Sequence, residues 1–421
     1  MCFFKSLCLD YKIKELQIDI RFVLYLNSLI SHQMKAIITF IFFVNFIFSP
    51  FLSHSQEISE KAKLSVITCG PGGELYSSFG HSAIRLKDPT NKIDVVFNYG
   101  TFDYQTPGFY MKFIRGKLPY ALSKQRFSSF YRSYQMEDRW IKEQELNLSD
   151  KERQKLVQFL SNNAKPENRL YFYDFFKDNC ATKIADVLNE NLEILPQYNF
   201  DFFEEKWTYR DLLHQYLGDK AWAKFGIDLA LGSLIDRKLR PKDYQFLPDY
   251  LMASLNGMRE NEKVISSDAK DLWKSRLKPK QTYSMSNPII VFWGLLFLAI
   301  VLTINDFRKE KIHLLFDRIL FLLAGLTGCV LLFLWFGTDH YATKTNLNIL
   351  VLSPIFLLLL SNKRKYRLLS IYLLSTLVIA VFSDIFDVQK LPDGFFLLIA
   401  TLSLRIAYRY YFLSKLDRAK S

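Results

Sequence analysis

An α+β domain followed by an all-α, five-helix membrane domain is the fold class this sequence predicts, and three observations carry the prediction. Short β-rich runs come first and amphipathic helical patterns later between residues 64 and 257, the order expected of segregated strands and helices. Five apolar runs of roughly bilayer-spanning length follow residue 287. Basic residues gather in alternate connections between those runs, which sets an orientation.

Residues 1–33 are mixed in character. Met34-Lys35 then opens an uncharged apolar run over 36–52 that ends in Ser53-His54-Ser55-Gln56. A charged start, an apolar core and a small-residue cleavage site describe a secretory signal peptide over 34–55, with Met34 as the start and 1–33 as an upstream extension. An uncleaved anchor helix is the alternative, and no cysteine ends the run to accept a lipid. Residues 64–68, 82–86 and 95–99 read as short strands. Between the first two lies Cys69-Gly70-Pro71-Gly72-Gly73, a loop that no Gly-Lys-Ser/Thr follows, so it is not a phosphate-binding P-loop. Residues 113–120 read as a turn with aromatic packing. Ser149-Asp150-Lys151-Glu152 has capping-box spacing and opens an amphipathic helix to about Asn162. Further helices are expected over 180–191, 208–217, 220–231 and 247–257.

The membrane runs cover 288–304, 314–336, 347–360, 368–385 and 394–413. Arg405 and Arg409 stand near the end of the last, where they can snorkel to the interface. The connections around Arg308 and Lys363 and the tail beyond Arg405 carry thirteen Lys/Arg, against Lys344 and Lys390 in the other two. The basic side faces the cytoplasm, so five spans place residues 56–287 outside, in agreement with a signal peptide. No internal repeat, coiled-coil heptad or metal-ligand spacing is evident, and no cofactor is expected.

Composition narrows the function. Half of the 421 residues are apolar and 16% are aromatic, which excludes a disordered chain. The net charge is +13, and residues 288–421 contribute more than half of it, with 15 Lys/Arg against 8 Asp/Glu. Positive charge concentrated in the most apolar third marks a membrane protein and argues against a nucleic-acid partner.

Few residues outside the membrane can do covalent chemistry. Cys2 and Cys8 precede the signal and Cys329 lies in a membrane run, which leaves Cys69 and Cys180; among the histidines, His81, His214 and His340 remain. Cys180 follows Asp178-Asn179, either of which can cap a helix starting there. A helix N-terminus favours a thiolate and offers N–H groups to an oxyanion. His81, after a flexible Gly80 and at the start of a strand, is the best base. Asn98 on the next strand is the first choice to orient it, ahead of Tyr99 and Asp103. Cys69 and Cys180 can equally be read as a disulfide in an oxidising compartment, and Cys69 as a nucleophile without a helix end. Arg85 reads as a phosphate contact or an ordinary ion pair. Glu74 and Tyr76 can line the cleft near His81. His214 reads as a core or surface residue of its helix, and His340 as an interfacial residue or a lipid-headgroup contact.

The stretch from Cys69 to Arg85, Asn98-Tyr99-Gly100-Thr101-Phe102-Asp103, residues 116–122, Asp178-Asn179-Cys180-Ala181-Thr182-Lys183 and the Thr338-Asp339-His340 loop with Thr343, Asn346 and Asn348 together resemble the Lnb-type family of lipoprotein N-acyltransferases of Gram-negative envelopes. The resemblance covers nearly everything from residue 60 onward. It implies a periplasmic domain distantly similar to papain-like NlpC/P60 proteins, in the circularly permuted order His81 before Cys180, attached to five helices in the inner membrane. It implies Cys180 as nucleophile, His81 as base and Asn98 as third member; a phospholipid as acyl donor; and a diacylated lipoprotein as acceptor. A membrane-anchored peptidoglycan amidase or peptidase is the alternative activity, and a non-enzymatic envelope module with a Cys69–Cys180 bridge is the third reading.

Overall fold

The computed structural model describes residues 57–218, 220–276, 287–361 and 367–418, with Tyr25 besides. The expected signal peptide, the extension before it and the basic cluster Lys363, Arg364 and Lys365 lie outside the described residues.

The strands β1 (Lys63–Cys69), β2 (His81–Asp88), β3 (Ile93–Thr101), β4 (Pro119–Arg126), β5 (Ile141–Leu146) and β6 (Leu170–Phe172) form one antiparallel sheet with a late strand. After the two-residue hairpin strands β7 (Arg259–Glu260) and β8 (Lys263–Val264), β9 (Lys270–Trp273) pairs with β5, giving the order β6-β4-β3-β2-β1-β5-β9. Alternation along the strands dictates the layers. Leu64, Val66, Ile84, Leu86, Phe97 and Tyr99 face α3 (Asp150–Asn163), α4 (Cys180–Asn191) and α7 (Pro248–Leu255). Ile67, Cys69, Ala83, Val96 and Ile141 face the other way, onto Phe130 of α2 (Phe127–Met136). The first turn of α3 is closed by the expected capping box: Ser149 accepts from the Glu152 N–H at 3.3 Å, and the Glu152 carboxylate accepts from the Ser149 N–H at 3.0 Å. Residues 113–120 hold the expected turn, at Arg115 and Gly116, between two regular elements. A short helix, α1 (Phe109–Ile114), precedes β4, which already begins at Pro119.

One irregularity shapes the functional end of the sheet. The β3–β4 register shifts between Asn98 and Thr101, and Gly100 sits at φ +89°, a left-handed conformation that disfavours any side chain. Such a bulge bends the strand and re-aims its residues. The β2–β3 ladder runs from Ile84 to Asp88, so the first residues of β2 are left to meet α4 instead.

A helical lobe with α5 (Tyr209–His214) and α6 (Ala221–Ala230) joins the sheet domain to the bundle. Its core includes Phe176, Tyr209, Leu213, Tyr244 and Phe246. Buried Arg210 bonds Asp228 at 2.7 Å and Asp236 at 2.8 Å. The Asn346 side chain donates to the Leu229 carbonyl at 2.8 Å, and Asn348 to the Asp228 carbonyl at 3.0 Å. Gly232 passes so close to Lys344 that a Cβ would stand 2.1 Å from its carbonyl oxygen. Phe225 of α6 packs on Phe292 and Phe395 of the bundle. These contacts hold the catalytic-domain candidate and the bundle as one body.

Among the described residues, five segments are long and apolar enough to cross a membrane. Four are α-helices: α8 (Pro288–Arg308), α9 (Leu314–Phe336), α10 (Arg367–Ile385) and α11 (Phe395–Arg418). The remaining one, Tyr341–Leu360, is a series of 3₁₀ turns, the last running Pro354–Leu360. Pro354 lacks a backbone N–H, and the segment lies against the glycines of α9: a Cβ on Gly328 would come within 2.2 Å of the Leu352 carbonyl. Small residues allow such close backbone approach in membranes. Arg405 and Arg409 correct an expectation. Neither snorkels; both are buried, because acidic and carbonyl partners wait inside the bundle. Arg405 bonds Asp317 at 2.6 Å, Asp306 at 2.9 Å and Thr303 at 2.8 Å. Arg409 donates to the Ser361 carbonyl at 2.7 Å.

Candidate active site

Cys180 is the first residue of α4 and is 7% exposed. Of the two candidate caps, Asn179 takes the role. Its side-chain oxygen accepts from the N–H groups of Ala181 at 2.8 Å and Thr182 at 2.9 Å. Its amide nitrogen donates to the carbonyls of Phe175 and Phe246, each at 2.7 Å, so the cap is itself clamped. Asp178 instead pairs with Lys183 at 2.6 Å. The cap consumes two first-turn N–H groups that the sequence offered to an oxyanion. The Cys180 N–H is left, and it and the Ser82 N–H act on the Cys180 sulfur to favour its charged form. Ser82 can do so because β2 has parted from β3 at this point.

His81 opens β2 after Gly80, which sits at φ +79°. Its Nε2 lies 2.6 Å from the Asn98 side-chain oxygen. An amide oxygen only accepts, so Nε2 carries the hydrogen and Nδ1 is the lone-pair nitrogen of the neutral ring. The Cys180 thiol lies beside the imidazole and interacts with it. Tyr134 stacks on it at 6.3 Å between ring centroids, and the Arg139 guanidinium lies over Tyr134. Burial alone would raise the Cys180 pKa, but the His81 charge and hydrogen bond and the two N–H groups outweigh it and bring the thiol below its ordinary value. Burial alone would lower the His81 pKa, but Cys180 and Asn98 together raise it. The two shifts favour a thiolate–imidazolium pair, the ground state of an acyl-transferring cysteine.

The other candidates fall elsewhere. Cys69 and Cys180 are both free thiols. Burial pushes the Cys69 thiol far up, so it is poorly suited to attack. Tyr99 is adjacent to Asn98 and therefore faces the opposite side of the strand; it is buried in the core and donates to Asn163 at 2.6 Å. It is not positioned to orient His81 or to line the cleft. Asp103 accepts from the Gln105 N–H at 2.8 Å in an exposed turn. Arg85 makes the ion pair that is one of its two readings. It holds Asp94 through two bonds of 2.7 Å and Glu143 at 3.1 Å, over the Phe127 ring. Glu74 and Tyr76 are exposed in the loop before His81. His214 bonds Asp228 at 2.9 Å in the network of Arg210. His340 donates from Nε2 to the carbonyls of Phe113 and Ile114, each at 3.1 Å.

Several groups escaped the sequence reading. The Ser82 N–H is a backbone group whose role depends on a strand parting. Tyr134 and Arg139 reach His81 only through tertiary packing. Tyr173 borders the nucleophile: a Cβ at Gly100 would stand 3.7 Å from its ring and 3.8 Å from the Cys180 Cβ. The aromatic run Tyr171-Phe172-Tyr173, which overlaps the end of β6, was the available signal.

Two family models match the chain, the Lnb N-terminal periplasmic domain over residues 54–215 and the Lnb transmembrane domain over 280–416. No curated protein and no solved structure matches it. Cys180, His81 and Asn98 fall inside the first match and His340 inside the second, and together the two span most of the chain in the family's own order. The chain therefore belongs to the Lnb family, as a multi-pass membrane protein with a periplasmic domain.

Proposed function

We propose that the protein moves an acyl chain from a phospholipid, through a thioester on Cys180, to the α-amine of a diacylglyceryl-cysteine lipoprotein at the periplasmic face of the inner membrane. The observation that carries this reading is the Cys180–His81–Asn98 relay at the start of α4, in a domain fixed to a five-segment membrane bundle. The Cys180 sulfur attacks the ester carbonyl, forming an S–C bond while the C–O bond to glycerol breaks. His81 Nδ1, which already holds the Cys180 proton in the ion pair, gives it to the leaving alkoxide, which departs as lysophospholipid. The Cys180 N–H, which the Asn179 cap does not take up, holds the oxyanion. The lipoprotein amine then attacks the thioester; a C–N bond forms, the C–S bond breaks, and the amine proton returns through His81 to the thiol. Asn98 keeps the imidazole in the tautomer that this needs. The order His81 before Cys180 supports kinship with permuted papain-like domains as part of the same proposal.

The test is the intact mass of an envelope lipoprotein's N-terminal peptide from cells whose only copy is wild type or Cys180→Ala. Loss of the third acyl chain with Cys180 is expected. A chain that persists without another enzyme to supply it sinks the reading, and release of muropeptides by the wild type would replace it with the peptidoglycan hydrolase.

A further inference from the structure

The helix α1 has no buried residue. Tyr110 is 78% exposed and Met111 59%, and Phe113 and Ile114 are exposed beside them. A six-residue helix of this composition gains nothing from facing water. Its height above the membrane is fixed by the bundle. His340 donates to the carbonyls of Phe113 and Ile114, and the Asp339 N–H to the Arg115 carbonyl at 2.9 Å. These two residues come three and four positions after Phe336, the last residue of α9, where that helix leaves the hydrocarbon with Trp335 and Phe336 at its end. Gly116, at φ +68°, lets the ring of His340 approach. Lys112, Arg115 and Lys117 flank the apolar residues, the arrangement of a segment lying at a lipid interface.

The apolar surface does not stop at α1. Phe109 touches Phe102, Phe102 touches Tyr120 at 5.3 Å, and Tyr120 stacks on Tyr173 at 4.5 Å; Tyr173 borders Cys180. Beside this path opens a cavity of about 440 Å³ bounded by Lys117, Phe172, Tyr173, Asp174, Asp339 and His340, a size that accommodates a small-molecule headgroup. We propose that α1 docks in the periplasmic leaflet of the bilayer and that the aromatic row from Phe109 to Tyr173 leads a phospholipid acyl chain to Cys180. The docking stands on its own; the delivery rests on the acyltransferase reading above.

The experiment uses the full chain, as the Cys180→Ala variant to stop turnover, in vesicles of phosphatidylethanolamine and phosphatidylglycerol with a trace of phospholipid bearing a diazirine in its acyl chain. After illumination, peptides carrying label are mapped. Label on residues 109–114 is expected, falling several-fold in Tyr110→Glu/Phe113→Glu while label on α8 to α11 stays unchanged. Label confined to α8 to α11 overturns the docking. For delivery, Cys180 is restored and transfer is compared between vesicle phospholipid and monomeric dihexanoyl phosphatidylcholine. The double variant is expected to lower the vesicle-to-monomer rate ratio roughly tenfold; an unchanged ratio overturns delivery. If wild type transfers from neither donor, the acyltransferase reading and delivery fail together, while the label still decides the docking.

Discussion

Two of the places where the protein buries charge use it in opposite ways. Within the bundle, the Arg405 guanidinium is met by Asp317, Asp306 and Thr303, and His313 closes on Asp306 from the far side. Each edge of the guanidinium has a partner, and arginine has no proton to trade near neutral pH. At the end of the sheet, Cys180 and His81 are also largely enclosed, but both partners exchange protons, and the groups around them stabilise the charged pair without taking its place. The difference lies in the chemistry of the pair. The first cluster fixes helices; the second is poised to react.

The largest effects should separate the two. Cys180→Ala is expected to abolish acyl transfer while leaving thermal unfolding of the purified protein nearly unchanged. His81→Ala should lower the rate by about 10²–10⁴-fold, the usual worth of a positioned base. Arg405→Leu should do the reverse: it strands Asp306 and Asp317 and should cost about 3–5 kcal/mol of stability, read as a fall in melting temperature in detergent, with activity per folded molecule largely kept. If Arg405→Leu instead silences a protein of unchanged melting temperature, the bundle cluster is not merely structural.

Smaller effects sharpen the reactive side. Asn98→Ala removes a hydrogen bond to a charged ring, worth about 1.5–3 kcal/mol, so the rate should fall roughly ten- to a hundred-fold. The same bond raises the His81 pKa, so its loss should also move the alkaline limb of the pH–rate profile toward lower pH. In wild type the Cys180 pKa is lowered and the His81 pKa raised, and the ion pair exists between the two. Alkylation of Cys180 by iodoacetamide should therefore persist at pH values where an ordinary thiol, with a pKa of about 8.5, is protonated. Steep loss of labelling below pH 8 would contradict the pair. Arg85→Ala, which frees Asp94 and Glu143 on the surface side of the sheet, should cost about 1–3 kcal/mol of stability with little change in turnover.

The same contrast marks what the sequence could reveal. Cys180 after Asn179 and His81 after Gly80 were legible because caps and flexible glycines are local. Choosing Asn98 over Tyr99 needed only the pleat: neighbours on a strand face opposite sides, and Tyr99 belongs to the core. The loss of two oxyanion donors to Asn179 was hidden, because an N-cap that attracts a thiolate also occupies the N–H groups it would need. Arg405 and Arg409 were read as snorkelling because their partners, Asp306, Asp317 and the Ser361 carbonyl, come from other segments. The 3₁₀ course near Pro354 was signalled by the proline, but the glycine face of α9 that receives it was not. The role of α1 depends on His340, more than two hundred residues away.

The central claim is that Cys180 carries the acyl chain. The most direct measurement is the mass of the purified protein, in the absence of a lipoprotein acceptor, after incubation with vesicles of one defined phospholipid. One acyl chain on the peptide containing Cys180, removed by neutral hydroxylamine and absent from Cys180→Ala, is the predicted result. Acyl transfer to an added lipopeptide by Cys180→Ala, or a chain trapped on another residue, would contradict it.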